Sequence, residues 1–209
     1  MDEKILILAP HTDDGELGMG GSIAKFISQG KEVYVAAFSI AEDSVPKGFA
    51  KDSLAKEFHM AMKVLGVKPE NQFIFRNKVR NFPANRQKIL EQILTLRNKI
   101  NPNLVFVPSP NDIHQDHQVI ASEGLRAFKK ISILGYELPW NNIVFETRSF
   151  VRLDESHIEK KILALHCYKT QIHRSYLDED FIRGLAKTRG TQFENKYAEA
   201  FEVLRIIIE

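Results

Sequence analysis

The strongest constraint on the fold is a repeated alternation of short apolar runs with amphipathic helical patterns. Four apolar runs lie in the first half of the chain, at 5–8, 33–38, 73–75 and 104–107. The segments between them place apolar residues at spacings of three and four, which is typical of helices that cover a sheet. Strands that alternate with helices favour a parallel sheet. The sequence therefore predicts a doubly wound α/β fold in one domain, residues 1–209.

The second half of the chain gives a less regular pattern. Residues 131–137 and 145–147 predict further strands, and the period-two alternation at 197–201 predicts a last one. The segment Ser156-His157-Ile158-Glu159 has the spacing of a capping box and predicts the start of a helix.

Composition limits the function classes. The chain has 209 residues and a formal net charge of +2, which gives no electrostatic footprint for nucleic acid. No apolar run is long enough to span a membrane, and the N-terminus does not have the pattern of a signal peptide. The single cysteine, Cys167, excludes an internal disulfide and fits a reducing compartment. We therefore expect a cytoplasmic protein.

A histidine and two adjacent aspartates, His11, Asp13 and Asp14, follow directly after the first apolar run. In parallel α/β sheets ligands bind beyond the carboxyl ends of strands, and buried charges are costly unless they are paired or bind a metal. This turn predicts that one carboxylate binds a cation and the other faces the cation's water. A solvated loop whose aspartates cap the next helix is an alternative. A phosphate-binding loop is another, although the glycines at 18–21 do not form G-x-G-x-x-G.

A second cluster, His114, Asp116 and His117, follows the fourth apolar run. Two histidines three residues apart share a face if a helix begins here, and a merely polar helix start is the alternative. Because both clusters lie at strand ends, we expect them to converge on one crevice. Histidine and aspartate ligands with an open position are typical of catalytic zinc. Fe²⁺ and Mn²⁺ stay open, whereas Mg²⁺ is poorly suited to histidine.

The two motifs together resemble the LmbE-like/PIG-L deacetylase family. That family has a P-H-P-D-D-x-E motif and a later H-x-D-H motif, which correspond here to residues 10–16 and 114–117. The resemblance extends over nearly the whole chain, through 136–140, 168–171, 189–192 and 197–201. It implies a Rossmann-like doubly wound fold, with a mostly parallel sheet and helices on both faces. It also implies hydrolytic removal of an acetyl group from an N-acetylated amino sugar or its conjugate, usually with zinc.

The resemblance also assigns residue roles. It implies that His11, Asp14 and His117 bind zinc and that Asp13 is the general base. It implies that His114, oriented by Asp116, is the acid or electrophile near the amide. A metal-dependent amidase acting on a non-sugar amide or a sugar conjugate is one alternative. A non-catalytic nucleotide-binding module of the same fold is another.

The sequence departs from the family pattern at two places. Thr12 replaces the usual proline, which changes loop stiffness more than chemistry. The loop after the second strand often supplies an arginine that contacts the substrate, but residues 51–56 contain none. This predicts a weak preference for anionic substrates, unless a cation from a neighbouring loop substitutes: Lys51, Lys56, Arg76 or Arg80. Trp140 is expected either to line a sugar pocket or to pack in the core. We expect a small-molecule partner and leave a homo-oligomer open.

Overall fold

A computed structural model describes residues 3–208, which form a seven-stranded sheet with six α-helices. The strands are β1 (Lys4–Ala9), β2 (Glu32–Ala37), β3 (Gln72–Ile74), β4 (Leu104–Pro108), β5 (Ser132–Tyr136), β6 (Ser149–Leu153) and β7 (Tyr197–Arg205). The helices are α1 (Asp14–Ser28), α2 (Ser53–Leu65), α3 (Arg86–Ile100), α4 (Gln115–Ala127), α5 (Glu155–Leu165) and α6 (Glu179–Thr191). Within these residues, none of the helices is both long and apolar enough to cross a bilayer.

The sheet has the order β3-β2-β1-β4-β5-β7-β6. Strands β1 to β5 pair in parallel, and β7 runs antiparallel to both of its neighbours. The chain leaves β1 toward β2 and β3, and then returns to place β4 on the other side of β1. This reversal of strand order opens a crevice beyond the carboxyl ends of β1 and β4, which is where α/β sheets bind ligands.

Helices cover both faces of the sheet, because the side chains of a buried strand alternate between two apolar layers. In β1, Ile5 and Ile7 pack in the layer that contains α1, α2, α5 and α6. Leu6 and Leu8 pack in the opposite layer, which contains α3 and α4. The predicted doubly wound fold is therefore confirmed.

Two sequence predictions were wrong in the second half. Residues 145–147 are not a strand; the strand there is β6, which begins at Ser149. The capping box of α5 does not start at Ser156. The side chain of Asp154 caps the helix and His157 completes the box, so the helix begins earlier because Asp154 is an equally good cap.

Helix α1 is broken at Met19, whose backbone angles are φ −151° and ψ 29°. A buried ion pair satisfies the backbone groups that the break leaves free. Lys161 Nζ donates to Leu17 O at 2.7 Å and to Glu199 Oε1 at 2.7 Å. The Glu199 carboxylate accepts the backbone N–H groups of residues 21 and 22. The break is thus a supported feature that fixes the start of α1 against α5 and β7.

Close packing, rather than phosphate binding, accounts for Gly18 and Gly21 of α1. A Cβ atom on Gly18 would lie 2.4 Å from the ring of Tyr136, and one on Gly21 would lie 2.6 Å from Leu153. These contacts leave no room for a side chain. They hold α1 directly against the sheet and so position the turn that precedes it.

Candidate metal centre

Two loops meet beyond the carboxyl ends of β1 and β4. The first loop joins β1 to α1 and contains His11, Asp13 and Asp14; the second joins β4 to α4 and ends at His117. Strands β1 and β4 are direct neighbours in parallel register, so both loops leave the sheet at the same edge. The structure therefore brings together the two motifs that lie about a hundred residues apart in the chain.

Three donor atoms form a small triangle at this point. Asp14 Oδ2 lies 3.1 Å from His11 Nδ1 and 3.3 Å from His117 Nε2. The two histidine nitrogens lie 3.3 Å apart. Ligands bound to zinc at 2.0–2.2 Å in a tetrahedral arrangement would be about 3.3 Å apart. The triangle therefore has the dimensions of three ligands around one ion.

The electrostatics of the triangle also fit a cation. Burial alone would lower the pKa of His11, but the Asp14 charge raises it to about 9. Burial would likewise lower the pKa of His117, but the Asp14 charge and the Asp112 hydrogen bond raise it to about 10. The two histidine charges hold the pKa of Asp14 well below its usual range, against the effect of burial. The site thus favours positive charge between its donors, and a metal ion supplies it while the histidines stay neutral.

Each histidine of the triangle has a carboxylate behind it. His11 Nε2 lies 3.1 Å from Asp116 Oδ2, and His117 Nδ1 lies 2.7 Å from Asp112 Oδ2. Such partners fix the ring orientation and the tautomer of a metal-binding histidine. Asp112 was not singled out from the sequence. The available signal was its position between the end of β4 and the histidines of the second motif.

Asp112→Asn should weaken zinc binding about 10- to 100-fold, as is usual when the partner of a ligand histidine is changed. The amide keeps the shape of the side chain but removes the charge beside His117. Competition with a chromogenic chelator measures the affinity, and Asp180→Asn, an exposed aspartate on α6, is the matched control. Unchanged zinc affinity in Asp112→Asn would show that His117 does not depend on this carboxylate.

The side chain of Asp116 has a different partner from the one that the sequence predicted. We expected this carboxylate to orient His114, but it contacts His11 and accepts the backbone N–H groups of Arg80 and Phe82 at 2.6 and 3.2 Å. Only its backbone N–H reaches His114, donating to Nδ1 at 3.1 Å. Asp116 therefore orients His11 and holds the loop after β3.

His114 lies beside the triangle. Its ring centroid is 4.5 Å from that of His117 and 5.1 Å from that of His11, so the three histidines together are also a group that can hold a metal ion. Its Nδ1 already accepts a backbone hydrogen bond, so in the neutral ring the proton is on Nε2. Burial, together with the charges of His117 and His11, lowers the pKa of His114. The charge of Asp116 acts in the opposite direction and does not outweigh these contributions.

Asp13 is the half-buried residue before α1, and its side chain does not cap the helix. The helix-capping alternative is thereby excluded for Asp13. Burial, with the neighbouring charge of Asp14, raises the pKa of Asp13 to about 6. Asp13 lines the same cavity as His11 and His114.

Glu16 is buried away from the triangle and anchors the first loop. The Tyr168 hydroxyl lies 2.6 Å from both Thr12 O and Glu16 Oε1. A hydroxyl has one hydrogen, so it can donate to only one of these acceptors. Tyr168 therefore donates to Thr12 O and accepts a hydrogen bond from a neutral Glu16, in agreement with burial raising the pKa of Glu16 to about 8.

The triangle opens into a cavity of about 290 Å³. One wall is the indole of Trp140, which stacks on Tyr176 with ring centroids 4.1 Å apart and planes at 14°. Arg174 and Gln171, from the segment after α5, also line the cavity. Arg174 and Tyr176 were missed in the sequence, because the motifs that define the site lie on other loops.

Comparison with known proteins defines the class. The fold superposes on N,N'-diacetylchitobiose deacetylase from Pyrococcus horikoshii with a TM-score of 0.82 at 21% identity, over 97% of this chain and 84% of that chain. The chain is 28% identical to the uncharacterized deacetylase YaiS of Escherichia coli, over 79% of this chain and 90% of that protein. It is 23% identical to the diacetylchitobiose deacetylase of Thermococcus kodakarensis, over 94% of this chain and 81% of that protein. The class is thus that of deacetylases built on this α/β fold.

The family follows from the sequence as a whole. Residues 6–128, more than half of the chain, match the PIG-L family of GlcNAc-PI de-N-acetylases. The chain therefore belongs to the PIG-L family, as its two motifs indicated. It is an enzyme of the hydrolytic N-deacetylase class, and a nucleotide-binding module is not favoured.

Proposed function

We propose that this chain is a zinc-dependent hydrolase that removes the acetyl group from an N-acetylated amino sugar or its conjugate. The observation that carries the proposal is the triangle of His11 Nδ1, Asp14 Oδ2 and His117 Nε2, with sides of 3.1–3.3 Å. The names of the chitobiose deacetylases among the relatives support a sugar substrate. The aromatic wall at Trp140 supports it further, because aromatic faces suit sugar rings.

Zinc held by His11, Asp14 and His117 would lower the pKa of a water to about 7 and polarise the acetyl carbonyl. Asp13 accepts a proton from the attacking water, since this residue lines the cavity beside the triangle. The water oxygen bonds to the acetyl carbon and the carbon–nitrogen bond breaks. His114 Nε2–H donates a hydrogen bond to the carbonyl oxygen, and the proton that Asp13 accepted passes to the departing nitrogen, so that the products are the free amine and acetic acid, which ionises to acetate.

We further propose that the whole chain works as one domain, because β1 at one end and β7 at the other belong to the same sheet. The substrate is a small molecule. A cytoplasmic location, which the free Cys167 supports, and a homo-oligomeric state remain predictions.

Chelation should abolish amine release from N-acetylglucosamine conjugates, and added zinc should restore it. The test uses protein purified without added metal, with zinc, iron and manganese measured by elemental analysis. A non-sugar acetamide of similar size distinguishes the general amidase alternative. Full activity in protein shown to be free of metal would contradict the proposal, and equal turnover of the non-sugar acetamide would favour the alternative.

A further inference from the structure

We propose that Arg174 determines substrate specificity by binding an anionic substituent, a phosphate or a carboxylate, on the substrate of the metal centre. The proposal rests on the proposed function, because the molecule concerned is the one that enters the same cavity. The charge of the preferred substrate is a property of this cavity that the metal-binding motifs do not determine.

Arg174 lies at the wall of the cavity that contains His11, Asp13 and Asp14. Its positive charge acts on the neighbouring Tyr176, where it opposes the effect of burial on the pKa of that hydroxyl. Among the described residues that line the cavity, Arg174 alone has a permanent positive charge. A ligand that reaches past Tyr176 therefore meets a guanidinium.

The guanidinium of Arg174 has no hydrogen bond or ion pair with another side chain within residues 3–208. Three cations on neighbouring segments are paired: Lys56 with Asp52, Arg76 with Glu42, and Lys78 with Asp43. Two others, Lys51 and Arg80, do not line the cavity. A guanidinium presents five donors in a planar fork that matches carboxylate and phosphate oxygens. Arg174 is therefore the cation at this cavity whose donors remain available to a ligand.

The segment that contains Arg174 is fixed to the metal-binding loop. Tyr168 donates to Thr12 O at 2.6 Å, directly beside His11. Thr170 is bound through its backbone N–H and its hydroxyl to the buried Glu57, at 3.0 and 2.6 Å. The backbone N–H of Arg174 then donates to Gln171 O at 2.8 Å. These bonds fix the backbone of this segment relative to the metal-binding loop, so that the ligand has to order only the exposed side chain of Arg174.

Charge balance favours an anion over a neutral group. Asp13 and Asp14 line the cavity and balance the two charges of a divalent cation, and the ligand histidines are neutral when metal is bound. Asp112 and Asp116 lie behind the histidines and do not line the cavity. The charge that a ligand meets beyond the metal is therefore that of Arg174. The sequence predicted a weak preference for anions because residues 51–56 contain no arginine. That prediction did not take Arg174 into account, and we replace it with a clear preference for anions.

Binding to zinc-loaded His114→Ala protein tests the proposal, because this variant keeps both Asp13 and Asp14 and should scarcely hydrolyse the compounds that it binds. Calorimetry compares three glycosides of N-acetylglucosamine: the methyl glycoside, the carboxymethyl glycoside and the 1-phosphate. We expect at least one anionic compound to bind about tenfold more tightly than the methyl glycoside, the low end for a charge-assisted hydrogen bond. The preference should fall with added salt, and the better of the two anions identifies a phosphate or a carboxylate.

Arg174→Gln in the same background should reduce this preference to about threefold or less, and Arg174→Lys should restore part of it. Arg148→Gln, at an exposed arginine paired with Glu146, should keep the full preference. Equal binding of neutral and anionic compounds, failure of both anions to bind, or an equal loss for all three compounds in Arg174→Gln would overturn the proposal. Amine release by the native enzyme is measured separately. Absence of amine release would contradict the deacetylase proposal, whereas the binding measurements alone decide the role of Arg174.

Discussion

Asp13→Asn should keep its zinc and lose about 100- to 10,000-fold in kcat/KM, the usual contribution of a general base. The amide has nearly the same shape as the carboxylate but cannot take the proton of the attacking water. The position of Asp13 supports this role, because the residue is half-buried, lines the cavity and does not cap α1. Asp14, the adjacent residue, is instead part of the triangle of donors.

The measurement is kcat/KM for amine release at equal zinc content, with Asp180→Asn as the control. That exposed aspartate should be replaceable without a change in rate. A loss smaller than about tenfold in Asp13→Asn at equal zinc content would assign the base to another residue.

The second prediction with a large expected effect distinguishes the roles of His114 and His117, the two histidines of the second motif. His117→Ala should lose zinc and activity together, because a zinc site with two protein ligands binds much more weakly than one with three. His114→Ala should keep zinc, since His11, Asp14 and His117 remain, yet lose most of its turnover because the hydrogen bond to the carbonyl oxygen is missing. Asp116→Asn should weaken zinc binding through His11, because the Asp116 carboxylate contacts that ring.

The fold was predictable where apolar runs are continuous. Residues 5–8 of β1 are completely buried, and a strand covered on both faces is apolar at every position. Strand β6 lies at the edge of the sheet and is only partly buried, so it lacks such a run and its start was placed too early. The start of α5 was misplaced because two capping residues, Asp154 and Ser156, stand two positions apart.

The candidate site was predictable where its residues belong to local motifs. The two motifs follow strands that are adjacent in the sheet, and this adjacency brings their histidines together. The contact of Asp116 with His11 was not predictable, since the sequence places Asp116 next to His117 and close to His114. The role of Arg174 was also not predictable, because its segment reaches the metal-binding loop through tertiary contacts such as the bond from Tyr168 to Thr12.

Zinc content, measured side by side in His114→Ala and His117→Ala, tests the proposed metal centre most directly. Both proteins are expressed in the same medium, purified without added metal and analysed for bound zinc, with circular dichroism to show that each is folded. We predict close to native zinc in His114→Ala and a nearly empty site in His117→Ala. An empty site in His114→Ala, with zinc retained in folded His117→Ala, would contradict the ligand set and the mechanism built on it.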